Sequence, residues 1–431
     1  MRRHTAPRGT TLARRRNFAA LWAESSVTNL ADGVVQLTLP LMAVSMTRSP
    51  ALVTGVSFAN TLPWLLLSLP AGALADRVDR RRLMMMTALA RVVILAALVA
   101  GVLAGLLPLA GLYAAALLLG TGQVLSQTTR MSVVQMVVPR NRMESAFAKL
   151  TASDTVANEF VGPPLGGVLA ASGSAVALGA GGIGYAVAVL ALVIMTGGYR
   201  SAHGRVPSAA GSSLRGEIWE GVKYVWEERV LRMLLLAAGV AGACWAAWNA
   251  VIVVYAVAPG PLGLTRSAFG LLMGALGVGG VVGAFAAPLL SRWLGRRVVL
   301  VGSMACYALL LGTPAVSSSP GLIAATTMVG GVGSGAWNVA YSSLRALVVP
   351  DEMMGRYSGA SRLASWGSMP LGAALAGATA ELGGVRGVFW AGGIVCSAAL
   401  MMTLRVVLSR KFHEIDALTK TPDSSASESV R

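Results

Sequence analysis

The chain has 431 residues, of which 55% are hydrophobic and only 12% charged, with a formal net charge of +17. A soluble domain carries about a quarter charged residues, so this composition excludes an ordinary solvated surface and calls for membrane helices. The arginines cluster between apolar runs instead of along one polar face, which excludes a nucleic-acid partner and fits the inside loops of a membrane protein, with anionic membrane lipids as natural partners of the excess charge.

At the N-terminus, Arg15-Arg16-Asn17-Phe18 resembles a twin-arginine export signal. The apolar segment behind it runs through Asp32 to about Met46 without a cleavage site, so an uncleaved first helix is expected. A span needs roughly 20 apolar residues, and reading on that length gives twelve, at about 18–46, 52–75, 83–106, 109–138, 145–171, 174–198, 230–257, 267–291, 297–316, 321–349, 356–381 and 386–408. One set of loops holds Arg14 to Arg16, Arg77, Arg80 to Arg82, Arg140, Arg142, Arg200, Arg205, Arg215, Lys223, Arg292, Arg296, Arg297, Arg410 and Lys411, whereas the alternate set holds Arg48, Arg266 and Arg386. The positive-inside rule makes the first set cytoplasmic and places both termini there, in a bacterial inner membrane.

The one long internal polar segment divides the chain. We expect an N-terminal bundle over 1–198, a linker over 199–229 with an amphipathic helix at Glu217–Glu228, a C-terminal bundle over 230–408, and a disordered tail over 409–431. The halves repeat. Val137-Val138-Pro139 matches Val348-Val349-Pro350, Gly122 matches Gly333, and Pro164-Leu165-Gly166 matches Pro370-Leu371-Gly372. The fold expected is therefore all-α, with twelve transmembrane helices in two pseudo-symmetric six-helix bundles.

Four spans carry polar residues at helical spacing: Ser25, Asn29, Asp32 and Gln36 in the first; Gln123, Ser126, Gln127 and Arg130 in the fourth; Trp245, Trp248, Asn249 and Tyr255 in the seventh; Ser334, Trp337, Asn338, Tyr341 and Arg345 in the tenth. Lipid-facing polar groups are costly, so these stripes either line a cavity or hold helices together by hydrogen bonds. As cavity residues, Asn29, Gln36, Gln123, Gln127, Asn249 and Asn338 would orient a ligand. Trp245, Trp248, Tyr255, Trp337 and Tyr341 would offer apolar faces and cation–π contacts to a partly apolar, cationic small molecule. Packing or interfacial placement of the tryptophans is the alternative.

Asp32 stands about 11 residues, or roughly 16 Å, beyond Leu21, near the middle of a 30 Å core. A carboxyl there suits proton coupling, with Asp154 and Glu159 in the fifth span as rivals; the alternative is a permanent pair with Arg91. Cys244, Cys306 and Cys396 lie in apolar runs and His4, His203 and His413 are far apart, so neither a disulfide framework nor a metal site is expected. There is no GxxxxGK[ST] sequence, which excludes an ATP-driven pump; no enzyme activity and no cofactor are expected.

The loop Gly72-Ala73-Leu74-Ala75-Asp76-Arg77-Val78-Asp79-Arg80-Arg81-Arg82 resembles the signature between spans two and three of the major facilitator superfamily, with Asp79 where a glycine is usual. Ser291 to Arg297 is similar to a degraded second copy, and Gly162-Pro163-Pro164-Leu165-Gly166-Gly167 resembles the span-five motif of the family's antiporters. The start of the chain is similar to the drug and siderophore exporter branch. The resemblance implies an exporter of a small organic molecule, coupled to proton entry and working as a monomer, with Gly72, Asp76, Arg77, Arg80, Arg81, Gly162, Pro163, Gly166 and Gly167 in its conformational switch. A dedicated siderophore or self-made antibiotic exporter, and a transporter-like receptor or scaffold that moves nothing, are the alternatives.

Overall fold

Backbone inside hydrocarbon must satisfy its own N–H and C=O groups, and a helix does so within one segment. The computed structural model describes residues 11–139, 142–199, 229–349, 357, 361 and 363–407. Among these the elements are α1 (Thr11–Met46), α2 (Pro50–Arg77), α3 (Arg80–Leu103), α4 (Leu109–Val137), α5 (Met143–Asp154), a π-helical stretch (Thr155–Val161), α6 (Gly162–Ser172), α7 (Ser174–Ile194), α8 (Arg229–Ala256), α9 (Arg266–Trp293), α10 (Arg296–Val316), α11 (Pro320–Val348) and α12 (Met369–Val407).

Among the described residues, nine stretches are long and apolar enough to cross a membrane. The run α5–π–α6 and helix α11 are helical without being among the nine, and α12 is two helices meeting at Gly384, whose φ of 74° no helix contains. The expected spans thus fall on these helices. The start of the eleventh, the linker helix at Glu217–Glu228 and the tail lie outside the described residues.

Local chemistry sets the boundaries. Ser49 caps α2 by accepting from the Leu52 amide at 3.3 Å, with Pro50 in the first turn, where its missing N–H costs nothing. Asp79 caps α3 by accepting from the Arg82 amide at 3.0 Å, so the departure from the usual glycine supplies a helix start. The π-helical stretch ends at Val161, with Gly162 between it and Pro163 and Pro164. Neither proline can donate to the preceding turn, and the Gly162 amide reaches back five residues to the Ala157 carbonyl.

The described residues belong to two compact units, Met1–Pro207 with Ala246–Gly277 and Met369–Val385, and Ser208–Trp245 with Val278–Ser368 and Arg386–Arg431. In the first unit α1 is the buried axis: Leu21, Ala31, Val34, Val35 and Leu39 are all at most 3% exposed. In the second, glycines bring backbones together: a side chain at Gly279 or Gly283 of α9 would strike the Met328 or Val332 carbonyl of α11. Large apolar side chains such as Val93, Ile183, Phe285 and Leu375 point outward, as a lipid-facing surface requires.

Candidate functional site

The polar residues of α1 do not face empty hydrocarbon. Asp32, 5% exposed, accepts from Arg91 Nη1 of α3 at 3.1 Å and from the Tyr185 hydroxyl of α7 at 2.5 Å. The Arg91 guanidinium also lies over the Tyr185 ring, 4.9 Å from its centroid. Gly122 makes room for it, because a Cβ there would sit 2.7 Å from Arg91 Nε. Asp32 is therefore paired, and its cation is the Arg91 of the structural alternative.

Two turns nearer the N-terminus, Glu24 receives Arg130 of α4 through two bonds, Nε to Oε2 at 3.0 Å and Nη2 to Oε1 at 3.1 Å. Thr28 donates to the same carboxylate at 3.1 Å. Glu24 and Arg130 are 1% and 3% exposed. A bidentate fork in low dielectric is a strong, directional contact. Arg130 of the fourth span's polar stripe is thus a buried, paired cation. Sequence reading misses Glu24, although Glu24, Thr28 and Asp32 recur every four residues and so share one helix face beside the stripe of Ser25, Asn29 and Gln36.

Several buried polar atoms beside these pairs make no hydrogen bond: Asn29 Oδ1, Gln127 Nε2, Asp154 Oδ1, and Nε and Nη2 of Arg91. Asp154 lies in the electrostatic field of Arg130 and Asp32 but bonds to neither. Glu159, on the π-helical stretch, is exposed and makes no hydrogen bond or ion pair with the described residues. Among those residues, the first unit therefore gathers three carboxylates, Glu24, Asp32 and Asp154, around two guanidiniums, Arg91 and Arg130.

The residues expected to meet cargo divide by exposure. Gln36, Asn249 and Asn338 are exposed; Gln127, Trp245 and Tyr341 are half-buried. Asn29, Trp248 and Tyr255 have no exposed surface, and Gln123 and Trp337 almost none, so in this conformation none of the five is open to a ligand. Trp337 stacks on Tyr341 with centroids 5.7 Å apart, and the Tyr341 hydroxyl meets Ser361 Oγ at 2.6 Å and the Tyr357 hydroxyl at 3.0 Å. Trp245 meets the edge of Tyr307 at 6.4 Å.

Of the expected switch residues, Arg81 donates to the Leu192 and Val193 carbonyls at 2.8 and 3.0 Å, closing the last turn of α7. Arg80 is buried, with Nη1 2.9 Å from Met136 Sδ. Arg77 is exposed, Gly72 faces open space, and the Asp76 side chain lies outside the described residues. The Gly162–Gly167 segment is clasped on two sides within the first unit. Gly33 of α1 meets Asn158 and Gly162, and Gly166 meets the Val34 backbone. Gly167 meets Gly270 of α9, and Pro163 sits in the first turn of α6 between these contacts.

Helices joined by buried ion pairs and glycine-mediated backbone contacts under an apolar outer surface are those of a multi-pass membrane protein. Residues 10–430 match the family described as transmembrane secretion effector (MFS_3), and the chain belongs to that family. It is 24% identical to the multidrug efflux pump Tap of Mycolicibacterium fortuitum over 413 residues, covering 94% of this chain and 97% of that one. It is 27% identical to the uncharacterized MFS-type transporter y4rN of Sinorhizobium fredii over 400 residues, covering 90% and 94%. Among solved structures, a single-site mutant of the nucleoside transporter NupG aligns with a TM-score of 0.73 at 12% identity, over 90% of this chain and 99% of that one. A bacterial homologue of the iron transporter ferroportin, in an inward-facing state, aligns with a TM-score of 0.68 at 13% identity, over 93% and 100%.

Proposed function

We propose that this protein exports a small, partly apolar organic molecule by alternating access, in exchange for protons, with both termini in the cytoplasm of a bacterial cell. The drug exporter reading at family level is supported by the Tap relatives. The observation that carries proton coupling is the charge count around α1. Three carboxylates against two guanidiniums leave one negative charge in a low-dielectric interior. A single proton removes that charge, because an uncompensated buried ion is expensive. Asp154 is the natural holder, since Glu24 and Asp32 already receive Arg130 and Arg91 whereas Asp154 Oδ1 is buried and unbonded. Glu159, one π-helical stretch away and exposed, can pass the proton on. This assigns Asp32 chiefly to joining α1, α3 and α7, and moves the coupling role to the fifth span.

A membrane potential near 100 mV supplies about 2.3 kcal/mol per charge and a pH difference of one unit about 1.4 kcal/mol. Together they sustain a gradient of several hundredfold per proton for neutral cargo, so one carrier is sufficient. The exposed Gln36, Asn249 and Asn338, with Trp245 and Tyr341, are the side chains we assign to cargo contact.

Purified protein in liposomes tests this reading with a lipophilic cationic dye as cargo. An imposed pH gradient should drive dye accumulation, and Asp154→Asn should abolish accumulation while cargo counterflow continues. Absence of counterflow in the wild type would remove the transport reading and leave a receptor or scaffold. Normal accumulation by Asp154→Asn would return the proton to Asp32 or Glu159.

The orientation has its own test. With Cys244, Cys306 and Cys396 replaced, a single cysteine at Arg82 should resist a membrane-impermeant thiol reagent in intact cells, whereas one at Pro259 should react. Equal rates at the two positions would overturn the topology.

A further inference from the structure

A cavity of about 550 Å³ opens in the first unit between the start of α1, the end of α4 and the start of α5. Four cationic side chains line it, Arg14, Arg15, Arg142 and Lys149, and among the described side chains no carboxylate does. Its floor is apolar, formed by Phe18, Val137 and their neighbours. The floor is firm: Val137 and Ala146 belong to a buried cluster with Leu21, Val133, Val134, Leu150 and Leu192, and Phe18 and Val138 pack against it. The α1 wall is fastened as well. Arg16 donates to Thr196 Oγ1 at 2.8 Å, and Asn17 exchanges two hydrogen bonds with the Thr196 backbone at 2.7 and 3.1 Å.

The depth of the cavity narrows the ligand. Phe18 precedes Asp32 by 14 residues, about 21 Å along the helix. With Asp32 near the midplane, that is beyond the roughly 15 Å half-thickness of the hydrocarbon, at the level of the lipid phosphates. At that level Phe18 and Val138 lie beside the glycerol backbone and the first methylenes of a lipid, and the arginines and Lys149 surround its phosphate.

We propose that this cavity is a specific site for an anionic phospholipid, whose phosphate is held by Arg14, Arg15, Arg142 and Lys149 and whose acyl stems lie on Phe18 and Val138. A soluble organic phosphate would use the same charges but gain nothing from the apolar floor, which is why the lipid is the occupant. The site rests on the membrane placement of α1 and not on proton coupling or on any cargo, so it stands or falls separately from the exporter reading.

The test uses the full chain purified in detergent, with phosphatidylglycerol and phosphatidylcholine as probes and native mass spectrometry reporting bound lipid. The wild type should retain phosphatidylglycerol in preference to phosphatidylcholine. Each basic side chain removed should weaken retention by about fivefold, so Arg142→Ala with Lys149→Ala should lower it by about 25-fold. Arg82→Ala with Arg292→Ala removes the same charge from exposed positions outside the cavity and should leave retention near the wild type. Lys149→Arg keeps the charge and should retain the lipid, which separates recognition from misfolding. Equal losses in the two double variants, or equal retention of both lipids, would reduce the cavity to diffuse surface charge and overturn the proposal. Protection by glycerol 3-phosphate as strong as by the lipid would overturn it in favour of a soluble phosphate ligand.

Discussion

Replacing Arg91 with methionine is expected to destabilise the protein by about 3–5 kcal/mol, the cost of leaving a buried carboxylate without its cation. Asp32 has no water to fall back on, being 5% exposed, and its one remaining partner, the Tyr185 hydroxyl, carries no charge. Asp32→Leu alone should cost a similar amount by stranding Arg91, whose Nε and Nη2 already make no hydrogen bond. The double variant removes both charges and should recover most of the loss, because two apolar side chains of suitable volume pack where an ion pair stood. Melting temperatures in detergent of the wild type, both single variants and the double variant close the cycle. Additive losses would mean that the pair is not the joint that holds α1, α3 and α7.

The second large effect concerns the glycines around the π-helical stretch. A Cβ on Gly33 would lie 2.5 Å from the Asn158 carbonyl oxygen and 2.9 Å from the Gly162 Cα, both backbone atoms that cannot turn aside. Gly33→Val must therefore push α1 away from the fifth span, and overpacking of this kind typically costs about 1–3 kcal/mol or more. Gly167 differs in what it touches: its neighbour is Gly270 of α9. Gly167→Val should spare the α1 contacts and part α6 from α9. A Cβ at Gly274 would stand 3.3 Å from the Pro164 ring, so a single cysteine there reports that contact. It should react slowly in the otherwise wild-type chain and several-fold faster with Gly167→Val, with transport falling in parallel. An unchanged labelling rate together with unchanged transport would show that the α6–α9 contact is not part of the working cycle.

Membrane class, helical content and the internal repeat were all legible from the chain. Each rests on a property that accumulates over many residues, namely the scarcity of charge, apolar runs of spanning length, and motifs recurring at matched places in the two halves. The Gly162–Gly167 segment was legible for a local reason, since two adjacent prolines and three nearby glycines leave few conformations other than a close-packed, irregular helix. The polar stripe on α1 was legible because α-helical spacing converts sequence separation directly into a shared face.

Partnership was decided only by the tertiary structure. Periodicity shows that Asp32 lies on a polar face, but whether that face meets water, a cation or lipid depends on Arg91, 59 residues away, and Tyr185, 153 residues away. Glu24 and Arg130 lie 106 residues apart, and nothing in either local sequence distinguishes a buried bidentate pair from two residues at helix ends. Trp248 and Tyr255 looked like cargo surfaces by type and spacing, yet packing leaves them no exposed area. Composition and period act through the chain's own neighbours and can be read there. Desolvation, which fixes where a charge is stable and which carboxyl keeps a proton, is set by whichever helices the fold brings alongside.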